Sequence, residues 1–112
     1  MRISGIVREV TEVAREYNLQ FIETDRTDNI VSLKLLIDND LFIQVYGNTL
    51  KEKLNLALVF KNRRLYGYDS EGNRYHCHPL HNPDGHIFVD ERKSIHDFVN
   101  ESMVFLEEKE ML

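Results

Sequence analysis

The chain predicts an α+β fold: an antiparallel meander sheet of five to six strands flanked by an N-terminal and a C-terminal helix, in one domain over residues 1–112. Three observations lead there. Apolar residues recur at three- and four-residue spacing only near the two ends of the chain. Between them the period falls to two, in short runs roughly ten residues apart. The connections between runs are rich in Asn, Asp and Gly and leave no room for helical crossovers, so neighbouring strands run antiparallel.

The first helix is read from Ile3, Ile6, Val7, Val10, Val13, Ala14 and Tyr17, which share one face. Ser4 is placed to cap it and Asn18 to stop it. Strand runs follow at Leu19–Ile22, Ile30–Ile37, Leu41–Tyr46, Leu54–Phe60, Leu65–Tyr68 and Arg74–His78, with a brief Ile87–Val89 after them. Asp38-Asn39-Asp40 is hairpin chemistry, because Asn and Asp tolerate left-handed backbone angles. Turns are also expected at Gly47-Asn48, Asn62-Arg63 and within 69–73. Ser94 caps the last helix, whose apolar face is Ile95, Phe98, Val99, Met103 (or Ser102), Phe105 and Leu106.

Composition narrows the function classes. At 112 residues with 42% hydrophobic content, the chain is long enough for one real core without staples. Its one cysteine, Cys77, excludes an intrachain disulfide and fits a reducing cytoplasm. No signal-peptide run and no apolar stretch of membrane-spanning length is present, so a cytoplasmic protein with no membrane role is expected. The net charge of −5 removes polyanion binding by overall field, so a nucleic-acid role requires a local basic patch.

Such a patch is available in sequence. Residues 51 to 76 carry Lys51, Lys53, Lys61, Arg63, Arg64 and Arg74 against Glu52, Asp69 and Glu71. Lys61, Arg63, Arg64 and Arg74 are candidates to hold phosphates, with Tyr68 (beside Tyr66 and Tyr75) to stack on unpaired bases. The same residues also suit a solvated sheet edge protected against edge pairing.

Four of the five histidines, His76, His78, His81 and His86, fall within twelve residues, in a segment broken by Pro79, Pro83 and Gly85. On a strand, His76 and His78 share a face while Cys77 points the other way. Three chemistries suit this segment. Two imidazoles in different environments can serve as general base and acid, which is what RNA phosphodiester cleavage requires once cations stabilise the charge. A divalent metal could instead be held by His76 and His78 with His81, Asp84 or His86. The rings could also simply pack and hydrogen-bond in a polar loop. Register decides among these, because a slip of one residue moves His76 and His78 to the core face, and the 69–73 turn does not settle the slip. His96, in the first turn of the last helix, reads as surface.

Tyr66-Gly67-Tyr68-Asp69, then Tyr75-His76-Cys77-His78-Pro79, Asn82-Pro83 and His86, followed by a terminal amphipathic helix, resembles the TumE-type toxins of prokaryotic toxin–antitoxin modules over about residues 30 to 106. The resemblance implies a cytoplasmic growth-inhibiting protein neutralised by a separately encoded protein antitoxin, with the loop histidines as its functional core. This chain spaces its histidines further apart and is more acidic than that pattern. Three functional expectations stand together: a toxin-like component acting on RNA through its histidine-rich loop, a non-catalytic binding or homodimerisation module joined through a sheet edge or the last helix with its Phe98, Met103 and Phe105, and a metal-binding protein or hydrolase using His76 and His78.

Overall fold

Strict alternation in the central strands gives the sheet one apolar face, and both helices lie on it. The computed structural model describes residues 1–112. Its order is α1 (Ile3–Glu16), β1 (Gln20–Arg26), β2 (Ile30–Asp38), β3 (Leu41–Asn48), β4 (Lys53–Phe60), β5 (Arg63–Glu71), β6 (Arg74–His78), β7 (Ile87–Val89) and α2 (Ile95–Glu108). The seven strands pair in sequence order, each antiparallel to the next. The predicted α+β meander between two helices is therefore the observed fold. The seventh strand is the short Ile87–Val89 run, which pairs with Tyr75–Cys77 and so forms one edge of the sheet.

Leu33, Leu35, Ile43, Val45, Leu56 and Leu58 are all but fully buried under the helices. From α1, Ile6, Val10, Val13 and Ala14 pack down onto them, and from α2, Ile95, Phe98, Val99 and Leu106 do the same. Phe98 is fully buried and lies flat on the Tyr66 ring, centroids 4.8 Å apart. Burying a side chain of this size stabilises the fold by roughly 1.5–3 kcal/mol. Phe98 is thus core, and Met103 and Phe105 are half-buried against that core. Of the three residues expected to form a dimerisation face, only Phe98 is withdrawn from the surface, and Met103 and Phe105 keep part of theirs.

The chain reversals follow their residues. Asn18 adopts φ 55 and ends α1, with Leu19 N–H donating to the Ala14 carbonyl. Ser94 Oγ accepts from the Asp97 N–H at 3.0 Å and starts α2. Ser4 does not cap α1: the cap position is Arg2, two residues earlier, and it makes no side-chain cap. Asn39-Asp40 closes the β2–β3 hairpin, with Asp40 at φ 59. The β4–β5 turn is Lys61-Asn62, one residue earlier than expected, and both adopt positive φ. No helix is long and apolar enough to cross a membrane.

Candidate functional site

The turn between β5 and β6 settles the histidine register. Glu71 pairs with Arg74, so the hairpin closes on Gly72-Asn73 alone, with Gly72 at φ 57. That registers Asp69 opposite His76, Tyr68 opposite Cys77 and Gly67 opposite His78. Tyr68 and Cys77 then face the helices, and Asp69, His76 and His78 face the other way. No helix covers that second face. Cross-strand pairing carries one row over it: Tyr46, Asn55, Asp69, His76 and Phe88 are successive partners on β3 to β7. A neighbouring row holds Asn48, Lys53, Glu71 and Arg74.

Where the two rows meet, the surface forms a cleft lined by Lys53, Asn55, Asp69, Glu71, Arg74 and His76. No apolar side chain lines it. Two polar atoms in its wall are withdrawn from solvent without a partner in the protein, His76 Nε2 and Asn55 Oδ1. An unpaired buried polar atom costs roughly 1–3 kcal/mol, so folds rarely retain one without use.

His78 is the opposite case. It is 1% exposed, and both ring nitrogens are engaged. Nδ1 donates to the Pro83 carbonyl at 3.1 Å, and Nε2 stands 3.0 Å from Asp69 Oδ2. The ring thereby ties the 79–86 loop down onto the sheet. It has the room because Gly67, its cross-strand partner, has no side chain: a Cβ there would stand 3.3 Å from the His78 ring. The loop in turn delivers His86. Its ring meets His78 edge-on at 4.3 Å and His76 edge-on at 5.7 Å between centroids. Phe88 closes the other side of His76 at 4.6 Å.

Compared with known protein families, with curated proteins and with solved structures, the chain finds no match. Three of the four loop histidines converge: His76, His78 and His86. His81 does not join them and is exposed in the turn closed by the Asn82 N–H on the Pro79 carbonyl. Asp84 is exposed as well. No three His, Cys, Asp or Glu side chains are arranged to hold a metal ion. The physical reason is visible at His78, whose two nitrogens are already committed to oxygens.

The cations divide into two groups. Lys53 and Arg74 line the cleft, whereas Lys61, Arg63 and Arg64 stand at the far end of the strands. Lys53 opens β4 and Lys61 follows its last residue, so the two stand at opposite ends of a strand about 24 Å long, seven steps of about 3.4 Å. Arg63 and Arg64 instead flank a shallow recess with Pro83 and Asp84, and Lys61 Nζ lies over the Phe60 ring.

Base stacking on Tyr68 is excluded by its position. Tyr66 and Tyr68 are buried on the helix-covered face, and Tyr75 is half-buried on the same side. The Tyr68 hydroxyl donates to the Glu91 carbonyl, and the Tyr66 hydroxyl donates to Glu101 Oε2 at 2.6 Å. Lys93 joins this group by donating to both Glu101 oxygens and lying over the Tyr68 ring. Burial, reinforced by Glu101, raises the Tyr66 hydroxyl far above the ordinary tyrosine range. These tyrosines are structural. Asn55, Glu71 and Phe88 complete the site and were not among the residues expected in it. Gly72-Asn73, a two-residue turn signal, carries the register from which their positions follow.

Proposed function

We propose that this protein is a toxin-like ribonuclease, in which His76 and His86 move protons beside a cation-lined cleft on the open face of the sheet. The observation that carries this reading is the contrast between the histidines. His78 is locked by two hydrogen bonds, while the rings of His76 and His86 have no hydrogen-bond partner in the protein and stand 5.7 Å apart. Free imidazoles are what general acid–base catalysis needs near neutral pH.

The chemistry balances with these groups alone. An unengaged nitrogen of His76 takes the proton of a ribose 2′-hydroxyl, and the oxygen attacks the adjacent phosphorus. Charge on the phosphoryl oxygens is met by Lys53 and Arg74. The bond from phosphorus to the 5′-oxygen breaks, and that oxygen takes its proton from the protonated His86. The products are a 2′,3′-cyclic phosphate and a 5′-hydroxyl. DNA lacks the attacking group and is not a substrate. The resemblance to TumE-type toxins supplies the setting: a cytoplasmic protein restrained by a protein antitoxin encoded separately.

Incubation of the purified protein with single-stranded RNA tests the proposal, with end-group analysis of the products. The expected result is a ladder of fragments bearing 2′,3′-cyclic phosphate, lost in His76→Ala with no change in thermal midpoint. Intact RNA with the native protein, or undiminished cleavage by His76→Ala, would overturn it. In cells, overexpression is expected to arrest growth, and His76→Ala to relieve the arrest.

A further inference from the structure

We infer that the uncovered face of the sheet is a platform for single-stranded RNA, with bases stacked on Phe88 and Tyr46 and phosphates held by Lys53 and Arg74. This rests on the reading of His76 as the proton-transfer group and adds the form of nucleic acid the site takes.

Phe88 is 75% exposed, although a large aromatic ring on a sheet would ordinarily be covered. It belongs to the same cross-strand row as His76 and packs edge-on against it. At the other end of the row, four strands away, is the half-exposed Tyr46. Four strand spacings of about 4.8 Å separate them by about 19 Å. Between them lie Asn55, with its unpaired Oδ1, and His76. A single strand running across the β-strands would therefore meet aromatic faces at both ends and hydrogen-bonding groups in the middle.

The row of Lys53, Glu71 and Arg74 runs parallel to this one, two residues further along the strands, about 7 Å away. That offset separates a line of bases from a line of phosphates. Charge is distributed to match. The chain is acidic overall, and nine of its nineteen acids lie on α1, α2 and the segment between β7 and α2, including Glu12, Glu16, Asp90, Glu91, Glu107 and Glu108. The open face carries Lys34, Lys53, Arg64 and Arg74 beside Asp25, Asp69 and Glu71. Asp69 there is already paired with His78, which leaves Glu71 as the acid between the two cleft cations. A duplex cannot use the platform, because its bases are paired and stacked on one another.

Fluorescence anisotropy with a labelled 2′-O-methyl oligonucleotide, which cannot be cleaved, tests this separately from catalysis. The single strand is expected to bind, and the same strand annealed to its complement to bind at least tenfold more weakly. Phe88→Ala should weaken single-strand binding about tenfold, the contribution of one stacked base. Glu71→Gln should tighten it. Equal affinity for single strand and duplex, or unchanged binding by Phe88→Ala, would overturn the platform even if RNA is cleaved. Single-strand binding without cleavage of natural RNA would sustain the platform and end the ribonuclease reading. Light scattering covers the competing occupant: a dimer dispersed by Phe88→Ala, with oligonucleotide binding intact, would assign the ring to a second copy of the chain and overturn the platform.

Discussion

His78 and Asp69 face each other across neighbouring strands with Nε2 and Oδ2 3.0 Å apart, while the other side of the imidazole is held by the Pro83 carbonyl. Both neighbours are oxygens, and a carbonyl can only accept. Nδ1 therefore carries the proton that the Pro83 carbonyl accepts. Removing the imidazole by His78→Ala deletes two buried hydrogen bonds and leaves a void beside Gly67. A loss of about 2–4 kcal/mol is expected in urea denaturation. His76→Ala removes a ring whose buried nitrogen has no partner, so its stability should stay within about 0.5 kcal/mol of the native protein. Equal destabilisation by the two substitutions would show that His76 is as structural as His78.

Gly67 supports the same arrangement from beneath. A Cβ at this position would stand 3.0 Å from Arg64 Cδ and 3.3 Å from both Cβ and Cδ2 of His78. The arginine can swing away, but the imidazole is tied at both nitrogens. Gly67→Ala should therefore cost roughly 1–3 kcal/mol by overpacking, despite the better strand propensity of alanine. A double variant with His78→Ala should cost less than the sum of the two singles, because the clash goes with the ring. Strict additivity in urea denaturation would locate the strain at Arg64 instead.

The fold was legible because period and turn chemistry agreed along nearly the whole chain. Asp38-Asn39-Asp40, Asn18 and Ser94 act as their residue types require. The faces of the tyrosines were not legible. Tyr66, Tyr68 and Tyr75 share the period of His76 and His78 but occupy alternate positions, and only the two-residue Gly72-Asn73 turn assigns one set to the helices. Neighbours across two strand steps were also beyond local pattern. Nothing in the spacing of Asn55, Asp69 and His76 shows that they are cross-strand neighbours, because that depends on every hairpin register between them. The 79–86 loop is a third case. Its prolines announce a turn, but which histidine folds inward depends on the contact between Pro83 and His78.

Cys77 lies on the helix-covered face opposite Tyr68, only partly accessible. Burial raises its thiol above the ordinary range, Lys93 opposes that shift, and Glu101 adds to it. The thiolate is the reactive form, so alkylation by iodoacetamide near pH 8 should be slow in the folded protein and become ordinary in urea. Lys93→Ala should slow it further by removing the neighbouring cation. Intact-mass measurements over time report both rates. Alkylation of the folded protein as fast as a free cysteine would contradict this placement.

The two helices are joined by a contact that should make stability depend on pH. His96 Nε2 stands 2.8 Å from Glu16 Oε2, and the His96 backbone N–H donates to Glu9 Oε2 at 3.0 Å, so two α1 carboxylates hold the start of α2. The Glu16 hydrogen bond and charge raise the His96 imidazole above its ordinary value, with Asp97 adding a little and desolvation opposing. A group whose folded value is raised stabilises the fold fully below its unfolded value, about 6.5 for histidine, and loses that contribution as pH climbs through the folded value. The difference in thermal midpoint between the native protein and His96→Ala should therefore be largest near about pH 5.5 and close by about pH 9. Glu16→Gln should reproduce that profile, and adding it to His96→Ala should change little more. Because the pair is exposed, salt should shrink the acidic-side difference. A difference that holds constant across this pH range would assign the contact to packing rather than to charge.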